Sequence, residues 1–260
     1  MNYVLYIPLY LIFGLSPSII WLLFYLKKDS HPESNKMIIK VFSWGIATAI
    51  IAAAVEIGIA FGIGGFMALS PIKINAPFFL SFILYHLIAI ALVEEVSKFL
   101  VVKKTAINDP EFDEPVDAML YMIIIALGFA ALENLLYLFS ALFSAEGLSM
   151  LNAALISGFR FIGATFLHAL ASGTIGFFLA LSIFKPDKKI MYLGIGITIA
   201  TALHGLFNIS IIGIGEGLQN NNTLLTSASI ACLTALLSSL AIFVGFGFKK
   251  LKKISSICKL

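Results

Sequence analysis

Seven long apolar runs, at about 3–26, 38–69, 78–102, 116–143, 153–184, 190–212 and 223–248, make up most of this 260-residue chain. An α-helix needs about 20 consecutive apolar residues to cross the hydrocarbon core of a bilayer. Each run reaches that length. Several exceed it, so tilted helices or helix ends outside the bilayer are expected. In hydrocarbon the backbone must satisfy its own hydrogen bonds, which leaves helices and closed barrels. Barrels are written as short alternating segments, whereas these runs are continuous. The predicted fold is therefore all-α, a polytopic membrane helical bundle of about seven transmembrane helices. Only 12% of the residues are charged, against roughly 25% in soluble domains, and the mean hydropathy is +1.02.

Loop charge predicts the orientation, because lysine and arginine accumulate on the cytoplasmic side. Fourteen lysines follow runs one, three and five or lie in the C-terminal tail, while the opposite loops carry only Lys73. The N-terminus is expected outside and the C-terminus inside. This asymmetry explains the net charge of +3, so no nucleic-acid partner is expected. Run one has no basic segment before it and no small-residue cleavage site after it, which predicts an uncleaved anchor. No loop is long enough for a separate soluble domain. Residues 1–260 are expected to form a single integral membrane domain with a motif-bearing core at about 78–212. Cys232 and Cys258 form no disulfide framework. All but one of the 17 basic residues are lysine, which suggests an AT-rich prokaryotic genome.

The ionisable residues inside the runs carry the chemistry, since a charge in hydrocarbon costs several kcal/mol unless it is paired or wetted. Run three contains Glu94, Glu95 and Lys98, spaced so that both carboxylates can reach the ammonium from one helix face. One cation for two acids leaves a glutamate uncompensated, a setting suited to a general base. Run four places Glu133, Asn134 and Tyr137 deep in the membrane. Asp117 stands at the start of that run, where a helix cap is expected. Run five holds Arg160 and His168, and Arg160 is expected to snorkel or to pair with an acid. Run six holds His204 and Asn208, four apart and so on one face, suited to polarising a carbonyl or donating to an oxyanion. Glu56 and His86 have no companion at helical spacing and are expected to be structural.

The segments EEVSK (Glu94 to Lys98), EPVDAMLY (Glu114 to Tyr121), GFAALENLLY (Gly128 to Tyr137), RFIGATFLH (Arg160 to His168) and HGLFN (His204 to Asn208) occur in this order. In that order they resemble the PrsW family of intramembrane proteases, a family related to the CAAX prenyl endopeptidases. The resemblance covers about residues 90–210. It implies a glutamate-dependent peptidase in a bacterial cell membrane, of the kind that cuts a membrane-anchored anti-sigma factor on its extracytoplasmic side. Its essential pair would be Glu94 and Glu95, with Glu133, His168, His204 and Asn208 as essential or supporting positions. The chain departs from the family in having Ala118 where glycine is common after the aspartate. Its outer loops are also very short for recognising an extracellular substrate domain.

The expected reaction is hydrolysis of a peptide bond in a membrane-anchored protein or peptide, within the lipid bilayer. Glu94, assisted by Glu95 and His168, would activate a water; His204 and Asn208 would hold the oxyanion; Glu133 would orient a histidine or hold the water. No cofactor is demanded. There is no HExxH pair, but Glu133, His168 and His204 offer three ligands for a divalent metal such as zinc. Three alternatives stand beside it at this point: a CAAX-type prenyl-protein peptidase, a transporter or proton relay, and a non-catalytic membrane interaction protein, which leaves the polar constellation unexplained. Counting along the runs at about 1.5 Å per residue puts Glu94 about 12 Å from the inner helix ends and Glu133, His168 and His204 roughly 20–26 Å from theirs. That mismatch sets a condition on any shared site.

Overall fold

The computed structural model describes residues 7–29, 31–69, 85–143 and 149–254. Lys73, Cys258, Lys259 and positions 78–84 of the third run lie outside these residues. The described residues form α1 (Ile7–Leu26), α2 (Asn35–Leu69), a π-helical segment (Tyr85–Leu92) that runs directly into α3 (Val93–Thr105), α4 (Pro115–Leu142), α5 (Met150–Ile162), α6 (Ala164–Phe184), α7 (Lys189–Gln219) and α8 (Thr223–Leu251). No strand occurs among them. Six segments are long and apolar enough to cross a membrane, with α5 and α6 counting together as one. The segment Tyr85–Thr105 continues the third run. The chain is a multi-pass membrane helical bundle.

The centre of the bundle is α4. Every residue from Pro115 to Ala131 is buried, as expected of a helix that is apolar all round. α4 packs against α1, α2 and α6, and α6 packs in turn against α7 and α8. α1 and α8 lie at the periphery, with much of their surface left for lipid. The start of α4 is a reciprocal cap. The Glu114 side chain accepts from the Asp117 backbone N–H, while Asp117 Oδ2 accepts from the backbone N–H groups of Asp113 and Glu114 at 2.9 and 2.6 Å. This is the capping role expected of Asp117.

Glycine sets how closely α2 and α4 approach. A Cβ on Gly45 would stand 2.2 Å from the Ile125 carbonyl oxygen, and one on Gly128 would stand 2.1 Å from that of Phe42. Small residues at membrane helix crossings allow this backbone contact, where packing rather than the hydrophobic effect drives association. Gly128→Ala is expected to force the helices apart and cost about 1–3 kcal/mol, seen as a lower thermal unfolding midpoint in detergent. Gly62→Ala, at a position with nothing within 4 Å of the added Cβ, should leave the midpoint unchanged.

The fifth apolar run is not one straight helix. It breaks at Gly163, which has φ −104° and ψ −99° and separates α5 from α6. A side chain there would also meet the Phe159 carbonyl oxygen at 2.8 Å. Hydropathy does not reveal the break because both halves are apolar. It lies between Arg160 and His168, and so adjusts how the two face their partners.

Candidate active site

α3, α4, α6 and α7 bring their ionisable side chains to one buried centre. The spacing of Glu94, Glu95 and Lys98 does what helical geometry predicts. Lys98 Nζ lies 2.8 Å from Glu95 Oε1 and 3.3 Å from Glu94 Oε2, with all three residues buried. The ammonium also stands 4.2 Å over the Phe129 ring, a cation–π contact. Thus Lys98 bridges both glutamates rather than compensating only one.

The hydrogen-bond pattern assigns the histidine protons. An ammonium has donors and no acceptor, so His168 Nδ1, 3.0 Å from Lys98 Nζ, accepts. The His168 proton then sits on Nε2 and is donated to Glu133 Oε2 at 2.6 Å. His204 Nδ1 lies 2.9 Å from Glu95 Oε1 and donates to it. In the neutral form of His204 the lone pair is on Nε2, 3.9 Å from Glu94 Oε2, and His168 Nδ1 lies 3.8 Å from the same oxygen. The two imidazoles meet edge to face, their centroids 5.0 Å apart.

The two adjacent glutamates have different surroundings. Glu95 is fully buried. Its Oε1 accepts from Lys98 and His204, and its Oε2 accepts from the Ser172 hydroxyl at 2.9 Å. Glu94 bonds Lys98 through Oε2, while its Oε1 has no hydrogen-bond partner among the described residues. Glu94 also lines a cavity of about 530 Å³, together with Glu133, His168, His204 and Asn208. Glu95 does not line it. Asn208 is half-buried and faces this space, with no side-chain hydrogen bond among the described residues.

A supporting ring holds the outer side of the centre. Arg160 Nη2 lies 3.3 Å from Glu133 Oε2, its Nε donates to Asn134 Oδ1, and its guanidinium stacks 4.2 Å from the Tyr137 centroid. Asn134 is buried and donates to Thr165 Oγ1 at 3.0 Å, so it ties α4 to the first turn of α6. Arg160 therefore pairs with an acid, one of the two roles expected of it.

The depth mismatch counted along the runs does not separate the groups. α3 continues to Thr105, which recovers about 4.5 Å, and the count also assumed helix ends at one level. The converging metal-ligand atoms differ from the expected trio as well. They belong to Glu94, Glu95, His168 and His204, all within 4.8 Å of one another. Glu133 bonds the opposite nitrogen of His168 and so stands behind that imidazole. Glu56 and His86, expected to be structural, also line the cavity, and Glu56 Oε1 is buried without a partner among the described residues. Ser172 is invisible to sequence reasoning, because a serine in an apolar helix carries no signal of its own. Its place four residues after His168, on the same helix face, is the one clue the sequence holds.

Carboxylates and histidines gathered around a cavity inside a membrane bundle suit hydrolysis of a bond that enters the bilayer. Residues 33–239 match the model of a family described as PrsW family intramembrane metalloprotease. The chain belongs to this family and is an intramembrane protease. It is 31% identical to Protease PrsW of Geobacillus kaustophilus over 196 residues, covering 75% of this chain and 76% of the relative. Protease PrsW of Clostridioides difficile is 33% identical over 122 residues, 45% of this chain and 47% of that one. Protease PrsW of Bacillus subtilis is 25% identical over 206 residues, 78% and 83% of the two chains. No solved structure matches. These matches favour neither the prenyl-peptidase nor the transporter alternative.

Proposed function

We propose that this protease cleaves a membrane-anchored protein of a prokaryotic plasma membrane, with Glu94 as general base. The single supporting observation is the division between the glutamates: Glu94 lines the cavity with Oε1 uncommitted, while both oxygens of Glu95 are occupied. In this reading Glu94 Oε1 takes a proton from a water as its oxygen attacks the scissile carbonyl carbon. The tetrahedral oxyanion accepts a hydrogen bond from Asn208 Nδ2. Glu94 then returns the proton to the leaving nitrogen, the C–N bond breaks, and an amine and a carboxylic acid result. Lys98 holds Glu94 in position. Glu133 fixes His168 through Nε2. His204, its Nδ1–H committed to Glu95, turns a lone pair to the cavity, so the oxyanion role expected of His204 and Asn208 together falls to Asn208.

The donor set also fits the metal in the family's description. Two imidazoles and a carboxylate are a common catalytic zinc set, and the Lys98 ammonium already among them marks the centre as one built around a cation. Glu94 Oε2, His168 Nδ1 and His204 Nε2 would hold a divalent ion such as zinc. A bound ion there would polarise the carbonyl and acidify a water.

Asn208→Ala is expected to lower kcat by about 10²–10³-fold with little change in KM, the loss of one oxyanion donor. Steady-state cleavage of a membrane-anchored reporter measures it. The substrate itself is found by comparing peptide termini in membranes of cells making the wild type or Glu94→Gln. A terminus within or beside a membrane anchor, present only with the wild type, identifies substrate and bond. The same set of termini in both strains would overturn the proposal.

A further inference from the structure

A second concavity lies at the membrane end where α1 finishes and α8 finishes, away from the hydrolytic centre. Its volume is about 320 Å³, within the range of small-ligand pockets. Its inner wall is aromatic, made by Trp21 and Tyr25 of α1, Phe166 of α6 and Phe248 of α8. Gly245 opens the α8 side, and a Cβ there would meet nothing within 4 Å. The rim is cationic. Lys28, Lys249 and Lys252 all line it, and no acidic residue does. Each of the three is exposed. None of them is in an ion pair among the described residues, although Lys28 also stands 4.6 Å over the Phe24 ring.

This pairing of surfaces matches one ligand shape. The aromatic wall belongs at acyl-chain depth, and the lysines belong at the level of the headgroups. We propose that the concavity is a binding site for one anionic phospholipid, its acyl chain against Trp21, Phe166 and Phe248 and its phosphate among Lys28, Lys249 and Lys252. Loop lysines are expected at this membrane end in any case. These three differ because elements from the two ends of the chain bring them around a single apolar hollow. Basic pockets between membrane helices are a recurring mode of anionic-lipid recognition.

The hollow shares a wall with the helix that carries His168. Trp21 Nε1 donates to the Phe161 carbonyl at 2.8 Å, and the indole stacks on Phe166 with centroids 4.3 Å apart. Phe161 and Phe166 flank the break at Gly163, and Phe166 is two residues before His168. A lipid seated there therefore lies against the same aromatic stack that supports the α5–α6 junction.

The test is native mass spectrometry of the full chain, released from vesicles of phosphatidylglycerol and phosphatidylcholine mixed in equal amounts. The wild type should retain one phosphatidylglycerol in preference to phosphatidylcholine. The variant Lys28→Gln/Lys249→Gln/Lys252→Gln should lose that preference by roughly a hundredfold, the combined effect of three lysines near a membrane surface. Gly245→Leu, which fills the hollow and leaves the charges, should expel the lipid as well. Lys103→Gln/Lys104→Gln/Lys188→Gln, which removes three exposed lysines outside the hollow, should behave as wild type. Equal retention by all four proteins would overturn the proposal. So would a loss in the control variant equal to that in the Lys28, Lys249 and Lys252 variant, or retention unchanged by Gly245→Leu.

Discussion

Glu94→Gln is expected to reduce kcat by about 10²–10⁴-fold, the contribution of a positioned general base, with thermal unfolding close to wild type. The side chain keeps its shape, and the substitution weakens the longer of the two ion pairs that Lys98 makes with the glutamates, 3.3 Å against 2.8 Å. The amide oxygen still accepts from Lys98, but nothing remains at Oε1 to take a proton from water. KM should change little, because Glu94 acts on the water rather than on the peptide's flanking residues. Glu95→Gln provides the contrast. Glu95 accepts three hydrogen bonds, and an amide group can accept at only one of its two terminal atoms. That variant should lose stability together with activity. Cleavage rate and unfolding midpoint, measured on both purified variants, separate the roles. A Glu94→Gln protein that cleaves at the wild-type rate would remove Glu94 as the base.

Lys98→Met should be the most destabilising single change in the centre, at about 3–5 kcal/mol, because removing one partner leaves buried charges uncompensated. Lys98 is fully buried, as is Glu95 beside it, so solvent does not soften the effect. His168 Nδ1 would be left without its donor as well. The expected readout is a large drop in the denaturation midpoint in detergent. The double variant Lys98→Met/Glu95→Gln should recover part of it, because it removes an acid along with the base. Comparing the two single variants with the double variant isolates the coupling between the residues. Additive effects would mean that Lys98 acts mainly through Glu94 or the Phe129 ring.

Several parts of the site are legible in the sequence because they lie within one helix. The positions of Glu94, Glu95 and Lys98 follow from the three- and four-residue spacing of an α-helix. So does the shared face of His204 and Asn208, both of which line the cavity. Which group Glu133 meets depends on another helix, and in the fold it bonds His168 Nε2. Glu56 and His86 give no such signal because neither has a neighbour at helical spacing, and their place on the cavity wall depends on how α2 and the π segment are rotated. The choice of Glu94, rather than Glu133, to complete the converging ligands also depends on helix rotation.

By itself, the sequence determined that this chain crosses a membrane repeatedly as helices, because backbone groups in hydrocarbon have no other partner. It also determined which residues share a helix face, because the helical repeat is fixed by local geometry. Only the tertiary structure decided which glutamate meets the cavity, where the fifth run breaks, and which side chains from the two ends of the chain surround one hollow. Those depend on how helices rotate and approach one another. In this bundle that is governed by contacts between residues far apart in the chain, such as Gly45 against Ile125 and Trp21 against Phe161.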